Sequence, residues 1–282
     1  MERTAISKLW RVHGSLPSFC ILIMFNKLSR LLPLLLVTLM PAALAQSPEQ
    51  SFELYAHGRY VYERNCIICH GQRGDGKGEL SETILPKPRS FREGMFKFRS
   101  TPWEKLPTDA DLRRTITGGL SGTAMGMFTQ LPPEDVTAVM EYVKSFSRRW
   151  RAPENYAEPL KFPPPPAWLK EKKTIAPQIA AGKVLFTNVC ATCHGPEADG
   201  KGPTAPALKD VWGLQALPSD LRQPHLRCGD GPADIYRVLS TGMNGTPMIS
   251  YADALTEEQR WQVIAYIISI RVAGPPLLNP SS

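Results

Sequence analysis

Residues 66–70 read Cys66-Ile67-Ile68-Cys69-His70, and residues 190–194 read Cys190-Ala191-Thr192-Cys193-His194. C-x-x-C-H is the attachment sequence of a c-type haem. Two thiols one helical turn apart reach the two vinyl groups on one edge of a porphyrin, and the histidine that follows supplies the proximal nitrogen of the iron. A zinc knuckle or a thioredoxin-like C-x-x-C also uses paired cysteines. Two copies, each followed by its own histidine, argue against those alternatives and predict two covalently bound haems with their iron atoms.

The two copies belong to an internal repeat with an offset of 124 residues. Asp75-Gly76-Lys77-Gly78 follows the first motif as Asp199-Gly200-Lys201-Gly202 follows the second. Further on, Gly122-Thr123-Ala124-Met125 is matched by Gly245-Thr246-Pro247-Met248 at an offset of 123. One residue of slip over a whole module is typical of loop variation. The sequence therefore predicts a duplicated domain.

Apolar residues recur at intervals of three and four, which predicts a mainly α-helical fold of two tandem modules, each a few helices around one haem. Acidic residues and proline at the starts, and glycines at the ends, mark the helix boundaries. The predicted helices cover Phe52–Asn65, begin at Asp109 and Pro232, and cover Pro133–Phe146 and Glu257–Ile270. Gly58 and its counterpart Gly182 lie where a second helix would approach closely.

The 282 residues allow two modules of about 100 residues each. We expect a signal peptide region (1–45), a first domain (46–147), a proline-rich linker (148–174), a second domain (175–273) and a flexible tail (274–282). Pro163-Pro164-Pro165-Pro166 in the linker favours a semi-rigid polyproline II spacer that holds the two haems at a limited range of separations.

The leader has the pattern of a secretory signal: basic residues, the apolar run Leu31–Met40, and Ala43-Leu44-Ala45 as a cleavage site. Its position suggests that Met24 is the true initiator; the alternatives are a long n-region or an uncleaved anchor. The formal charge of +7 falls to +3 beyond residue 45, so nothing indicates nucleic acid or an anionic membrane as a partner. We expect no membrane span in the mature chain and a periplasmic location.

A haem that only carries electrons needs a sixth ligand, and methionine sulfur supplies it in many such proteins. Met125 and Met248 are the candidates, because each lies in Gly-Thr-x-Met before the last helix of its module. Met127 and Met243 are the nearby alternatives, and each methionine could instead fill a core. His57 is another possible ligand, but the second module has Ala181 at that position, which favours a surface histidine.

Both halves resemble class I c-type cytochrome domains in their C-x-x-C-H motif, glycine-rich stretch, methionine loop and terminal helix. The resemblance covers roughly residues 50–147 and 175–273. It implies a list of site residues: Cys66, Cys69, Cys190 and Cys193 as thioether donors, His70 and His194 as proximal ligands, and Met125 and Met248 as distal ligands. Ala124, where the second module has Pro247, departs from the pattern in the first methionine loop.

Other polar residues have less specific readings. Arg89, Arg99 and Trp103 are candidates to hydrogen-bond haem propionates, the alternative being a solvated basic loop. Cys228 has no counterpart in the first module, and we expect a buried or unpaired thiol there.

These features predict a di-haem c-type cytochrome that carries single electrons between extracytoplasmic redox partners in a respiratory chain, with no catalytic residue. Two alternatives stay open. One is a di-haem enzyme, such as a peroxidase or a thiosulfate-oxidising cytochrome. The other is a fixed electron-transfer subunit of a larger oxidoreductase complex.

Overall fold

The computed structural model describes residues 48–272. The leader, the suggested start at Met24 and the tail lie outside the described residues. The described part belongs to one compact unit that spans Gln46–Ser282, so both modules lie within the same unit.

Each module contains four α-helices in the same order. The first has α1 (Pro48–Asn65), α2 (Ile67–His70), α3 (Asp109–Gly118) and α4 (Pro133–Ser145). The second has α5 (Ile175–Leu185), α6 (Ala191–His194), α7 (Pro232–Thr241) and α8 (Glu257–Ile270). The π-helical stretch Phe186–Cys190 joins α5 to α6. The predicted mainly helical, two-module fold is confirmed; within residues 48–272 the one pairing of extended backbone is a bridge between Lys209 and Gln215.

The helices begin and end where side-chain chemistry favours it. Thr108 and Asp111 form a capping box at the start of α3, and Thr256 and Gln259 form one at the start of α8. Each hydroxyl accepts a backbone N–H that the first turn would otherwise leave unpaired. The helices predicted at these positions therefore form with closely similar bounds.

The first and last helices of each module cross at a glycine. A Cβ built on Gly58 would overlap the backbone carbonyl of Ala138 in α4, and one built on Gly182 would overlap that of Gln262 in α8. Only glycine allows this approach. Aromatic and β-branched side chains fill the core beside each crossing: Tyr62, Val139 and Tyr142 in the first module, and Phe186, Trp261 and Tyr266 in the second.

The proline-rich linker differs from the expected spacer because it packs against both modules. The Leu160 N–H donates to the Ser100 carbonyl at 2.8 Å. Phe162 and Trp168 pack on the core of the second module. Three short 3₁₀ helices lie in this segment, at Arg148–Arg151, Pro153–Asn155 and Ala167–Lys170. The modules also contact each other directly, so the linker alone does not set the distance between them.

None of the helices within residues 48–272 combines the length and the apolar character that crossing a bilayer requires.

Candidate functional site

Each C-x-x-C-H motif is a single helical turn whose carbonyls are hydrogen-bonded by the glycine-rich loop that follows. The Gly76 N–H donates to the His70 carbonyl at 2.9 Å, and the Gly78 N–H donates to the Cys69 carbonyl at 3.1 Å. The second module repeats both bonds, from Gly200 to His194 at 2.8 Å and from Gly202 to Cys193 at 3.1 Å. The repeated Asp-Gly-Lys-Gly sequence therefore satisfies the last carbonyls of α2 and α6.

Glycine is required in these loops for two reasons. Gly76 and Gly200 have φ values of +74° and +79°, in the left-handed region that side chains disfavour. A Cβ on Gly78 would overlap the Ile68 backbone, and one on Gly202 would overlap the Thr192 carbonyl. The loops can thus lie directly against the motif turns.

The two motif histidines have one ring nitrogen hydrogen-bonded and the other left for a ligand. His70 Nδ1 lies 3.0 Å from the Arg89 carbonyl, and His194 Nδ1 lies 3.4 Å from the Ser219 carbonyl. A carbonyl only accepts, so Nδ1 carries the proton and Nε2 has the free lone pair. Burial lowers the pKa of both imidazoles, although the carbonyl bonds partly oppose it. Both rings are therefore held neutral, in the form that binds a metal.

The four motif thiols are unpaired, as thioether formation requires. Burial raises the pKa of Cys66 to about 12 and that of Cys190 to about 11, with the neighbouring motif cysteine adding to each shift. Burial therefore favours the protonated form of the Cys66 and Cys190 thiols.

Met125 and Met248 occupy equivalent loops, and both line a cavity with the motif residues. The Leu120 N–H donates to the Met125 carbonyl at 2.9 Å, as the Met243 N–H donates to the Met248 carbonyl at 2.8 Å. Met127 is 68% exposed, which makes it a poorer candidate than Met125. Met243 lines the cavity beside Met248 and stays a rival in the second module.

The cavity is continuous across both modules. Its wall includes the two motif histidines, all four motif thiols, both candidate methionines and apolar residues such as Phe96, Leu112, Leu239 and Ile267. Nitrogen and sulfur donors on a mostly apolar wall fit a porphyrin with an iron at its centre.

Three cations on the cavity wall fit the carboxylates of such a group. Arg89, Lys97 and Arg227 all line the cavity. Burial lowers the pKa of Arg89 to about 10 and that of Lys97 to about 8, and it also lowers the pKa of Arg227. Within residues 48–272 none of the three forms an ion pair, so their charge is available to a bound carboxylate.

Three other sequence-predicted residues lie away from this cavity. His57 Nε2 pairs with Asp135 Oδ1 at 2.7 Å, as expected of a surface histidine. The interpretation of Arg99 and Trp103 as propionate partners is wrong. Arg99 is fully buried and donates to the backbone carbonyls of Pro102, Thr241 and Gly242. Trp103 packs against Gly242, in the second module.

The carbonyls of Arg89 and Ser219 are functional groups that sequence reasoning missed. Each follows a proline, Pro88 or Pro218, and this was the available signal. The distances from the motif histidine are 19 and 25 residues, so a fixed offset does not align them. Lys97 and Arg227 were also missed, because their distances from the motif histidines differ between the modules as well. Cys228 also lines the cavity: its thiol is partly buried and unpaired, in agreement with the expected buried or unpaired thiol, and burial raises its pKa to about 11.

Residues 55–147 and 179–271 each match the profile of the family described as Cytochrome c. The chain is similar to subunit CcoP of the cbb3-type cytochrome c oxidase of Rubrivivax gelatinosus, with 32% identity over 81% of this chain and 57% of that protein. It is also similar to subunit CcoP of Azospirillum sp. (strain B510), with 27% identity over 67% of this chain and 53% of that protein. The chain thus spans little more than half the length of these relatives.

A solved structure agrees with these matches. The chain superimposes on a chain of the Kuenenia stuttgartiensis reducing HAO-like protein complex Kustc0457/Kustc0458 with a TM-score of 0.69 and 37% identity. The match covers 77% of this chain and 96% of the other. The sequence profiles, the relatives and the geometry of the two sites agree: the chain belongs to the cytochrome c family and has two cytochrome c domains, with two covalently bound haem c groups.

Proposed function

We propose that each module holds its haem through a complete set of its own residues. Cys66 and Cys69, and likewise Cys190 and Cys193, form the thioether bonds. His70 and His194 are the proximal ligands, and Met125 and Met248 are the distal ligands. The observation that carries this assignment is the cavity wall, where each module presents a neutral imidazole and a methionine in matching loops.

The bound haem supplies an iron that accepts and returns one electron. The protein holds the proximal imidazole through the carbonyls of Arg89 and Ser219, and its apolar wall excludes water. The cations Arg89, Lys97 and Arg227 bind propionates. A haem held by a histidine and a methionine of the same module would carry electrons and would leave no open position for peroxide, so we expect electron transfer and no peroxidase activity.

The test replaces each methionine in turn. Met125→Ala and Met248→Ala should each remove about half of the methionine–iron charge-transfer absorption of the oxidised protein, because each removes one of two equivalent sulfur ligands. Met127→Ala and Met243→Ala are the matched controls and should leave the band unchanged. A weaker band in a control, or a band of full intensity in Met125→Ala or Met248→Ala, would reassign the ligand.

The enzyme alternative has its own measurement. Peroxide turnover with a reduced carrier should not exceed that of free haem, and a high-spin haem in the resting protein should be absent. Substantial turnover would mean that one iron has an open or displaceable sixth position.

We propose that the partners are redox proteins in the periplasm. The protein would reach them after its leader is cleaved before Gln46. The named relatives are subunits of an oxidase and a chain of a multi-protein complex, which supports a role as an electron-transfer subunit of a larger oxidoreductase in a respiratory chain. N-terminal sequencing of the mature protein tests the cleavage site. Co-purification with a large complex from native membranes at high salt would favour the fixed subunit, and its loss at high salt would favour a free carrier.

A further inference from the structure

The loop that carries Met248 is hydrogen-bonded by residues of the first module. Arg99, fully buried, donates through Nη2 to the Thr241 carbonyl at 2.6 Å and through Nη1 to the Gly242 carbonyl at 3.3 Å. Its Nε donates to the Pro102 carbonyl at 3.1 Å, within the first module. One side chain therefore joins segment 99–105 of the first module to the end of α7 and the start of the methionine loop.

Two further contacts join the same segments. The Asn244 Oδ1 accepts the Glu104 N–H at 3.1 Å, and the Asn244 amide donates to the Lys105 carbonyl at 3.4 Å. The Trp103 ring packs so closely on Gly242 that a Cβ there would overlap it. Asn244 is itself 2% exposed, so water cannot readily replace these bonds.

These contacts lead directly to the ligand. Met243 lies between the two residues that the first module holds, Gly242 and Asn244. Its N–H donates to the carbonyl of Met248 at 2.8 Å. The backbone of Met248 is thus fixed to a residue whose neighbours on both sides are bound by the first module.

The corresponding loop of the first module has no such support. In the described part of the chain, the hydrogen bonds of residues 119–127 stay within the first module, such as that from Leu120 to Met125. Met127 in this loop is 68% exposed. The two distal loops therefore differ in what holds them, although their sequences are repeated.

We propose that Arg99, with Asn244, is a positioning residue of the first module that holds the Met248 loop in its ligating conformation, so that the distal bond of the second haem depends on the interface between the modules and that of the first haem does not. This inference rests on the proposed assignment of Met248 as a ligand. Removing the Arg99 guanidinium leaves the Thr241 carbonyl unpaired, whereas the Pro102 and Gly242 carbonyls each lose one of two donors and keep the Lys105 N–H and the Thr241 hydroxyl. The closed loop therefore loses stability relative to open forms.

The test compares Arg99→Gln and the milder Asn244→Ala with the control Arg271→Gln. Arg271 also donates to three backbone carbonyls, those of Gln223, Pro224 and Asp230, and pairs with the Asp230 carboxylate, but it does so within the second module and away from the methionine loop. The readouts are the proton NMR signals of the two iron-bound methionine methyl groups in the reduced full-length protein, and carbon monoxide binding. Met125→Ala and Met248→Ala assign each methyl signal to its haem.

In Arg99→Gln and Asn244→Ala we expect the Met248 methyl signal to broaden or disappear and the Met125 signal to remain. The rate of carbon monoxide binding at the second haem should rise about tenfold or more, because the gas binds only when the distal ligand has left. Amide hydrogen exchange at residues 242–248 should rise in parallel. Arg271→Gln should change none of these.

The outcomes separate the two proposals. If Met248→Ala leaves both methyl signals in place, the ligand assignment fails. If Met248→Ala removes one signal but Asn244→Ala and a folded Arg99→Gln leave that signal and the binding rate unchanged, the assignment holds and the inference about the interface is wrong.

Discussion

At the scale of single residues, Gly58 and Gly182 decide whether the first and last helices of each module can cross. A methyl group at either position would overlap a backbone carbonyl, of Ala138 or Gln262. We expect Gly58→Ala and Gly182→Ala each to lower the free energy of unfolding by about 1–3 kcal/mol, because overpacking outweighs the better helix propensity of alanine, about 1 kcal/mol. Chemical denaturation of the haem-bound protein measures the change.

Gly118 in α3 is the matched control for these two glycines. A Cβ built on it has no atom within 4 Å, so Gly118→Ala should be neutral or stabilise the protein by up to about 1 kcal/mol. An equal loss of unfolding free energy in all three variants would contradict this explanation. It would mean that the cost comes from replacing a helix glycine and not from the close crossing of the helices.

At the scale of elements, Asp111 joins the start of α3 to the segment that contains Arg99. Its Oδ2 accepts the Ser100 N–H at 2.8 Å and the Thr108 N–H at 3.0 Å, and it also accepts from both hydroxyls. Burial alone would raise the pKa of this carboxyl, but hydrogen bonds from Ser100, Arg114 and Thr108 reverse the effect and hold it below its ordinary value of 3.8. The buried carboxylate therefore stabilises both segments in its charged form.

Asp111→Asn should lower the free energy of unfolding at pH 7 by about 1.5–3 kcal/mol, since the bonds are made to a charged acceptor. A lowered folded-state pKa gives stability that is present above the unfolded pKa and lost as the pH falls through the folded value. The difference between variant and wild type should therefore shrink below about pH 4. Urea titrations at pH 7 and pH 3 measure it, with Asp109→Asn, whose side chain is 63% exposed, as the control.

At the scale of the whole molecule, the two modules are joined beside the haem cavity. The Arg89 guanidinium lies 4.1 Å from the centroid of the Trp212 ring in the other module. Trp212 in turn contacts Gly245 of the Met248 loop. The residue whose carbonyl accepts from His70 is therefore linked, through Trp212, to the loop that contains Met248.

A double-mutant cycle with Arg89→Met and Trp212→Leu should give a coupling energy of about 0.5–2 kcal/mol in unfolding experiments, as expected of a partly desolvated cation–π pair. The control is the exposed pair Arg64 and Tyr60 within α1, whose guanidinium and ring centroid are 5.4 Å apart. Its coupling energy should be about 0.5 kcal/mol or less. A coupling near zero for Arg89 and Trp212 would mean that this contact does not join the modules.

Most of the individual modules could be predicted from the sequence, because their determinants are local or repeated. The spacing within C-x-x-C-H is set by covalent chemistry, and the helices follow from periodicity, capping residues and glycines. Gly58 and Gly182 could be recognised because the same contact is made twice. The histidine-orienting carbonyls were missed, since a backbone group has no residue type and the intervening loops differ in length.

The sequence by itself determined that this protein is a duplicated haem-binding chain, and it indicated the thiols, imidazoles and methionines that are candidates to hold the haems. Only the tertiary structure decided how the modules meet. Arg99 reaches Thr241 and Gly242 across more than 140 residues of sequence, and the position 124 residues after Arg99 is Gln223. The interface joins different parts of the two repeats, so neither the internal repeat nor any local pattern encodes it, and it becomes visible only when both modules are folded against each other.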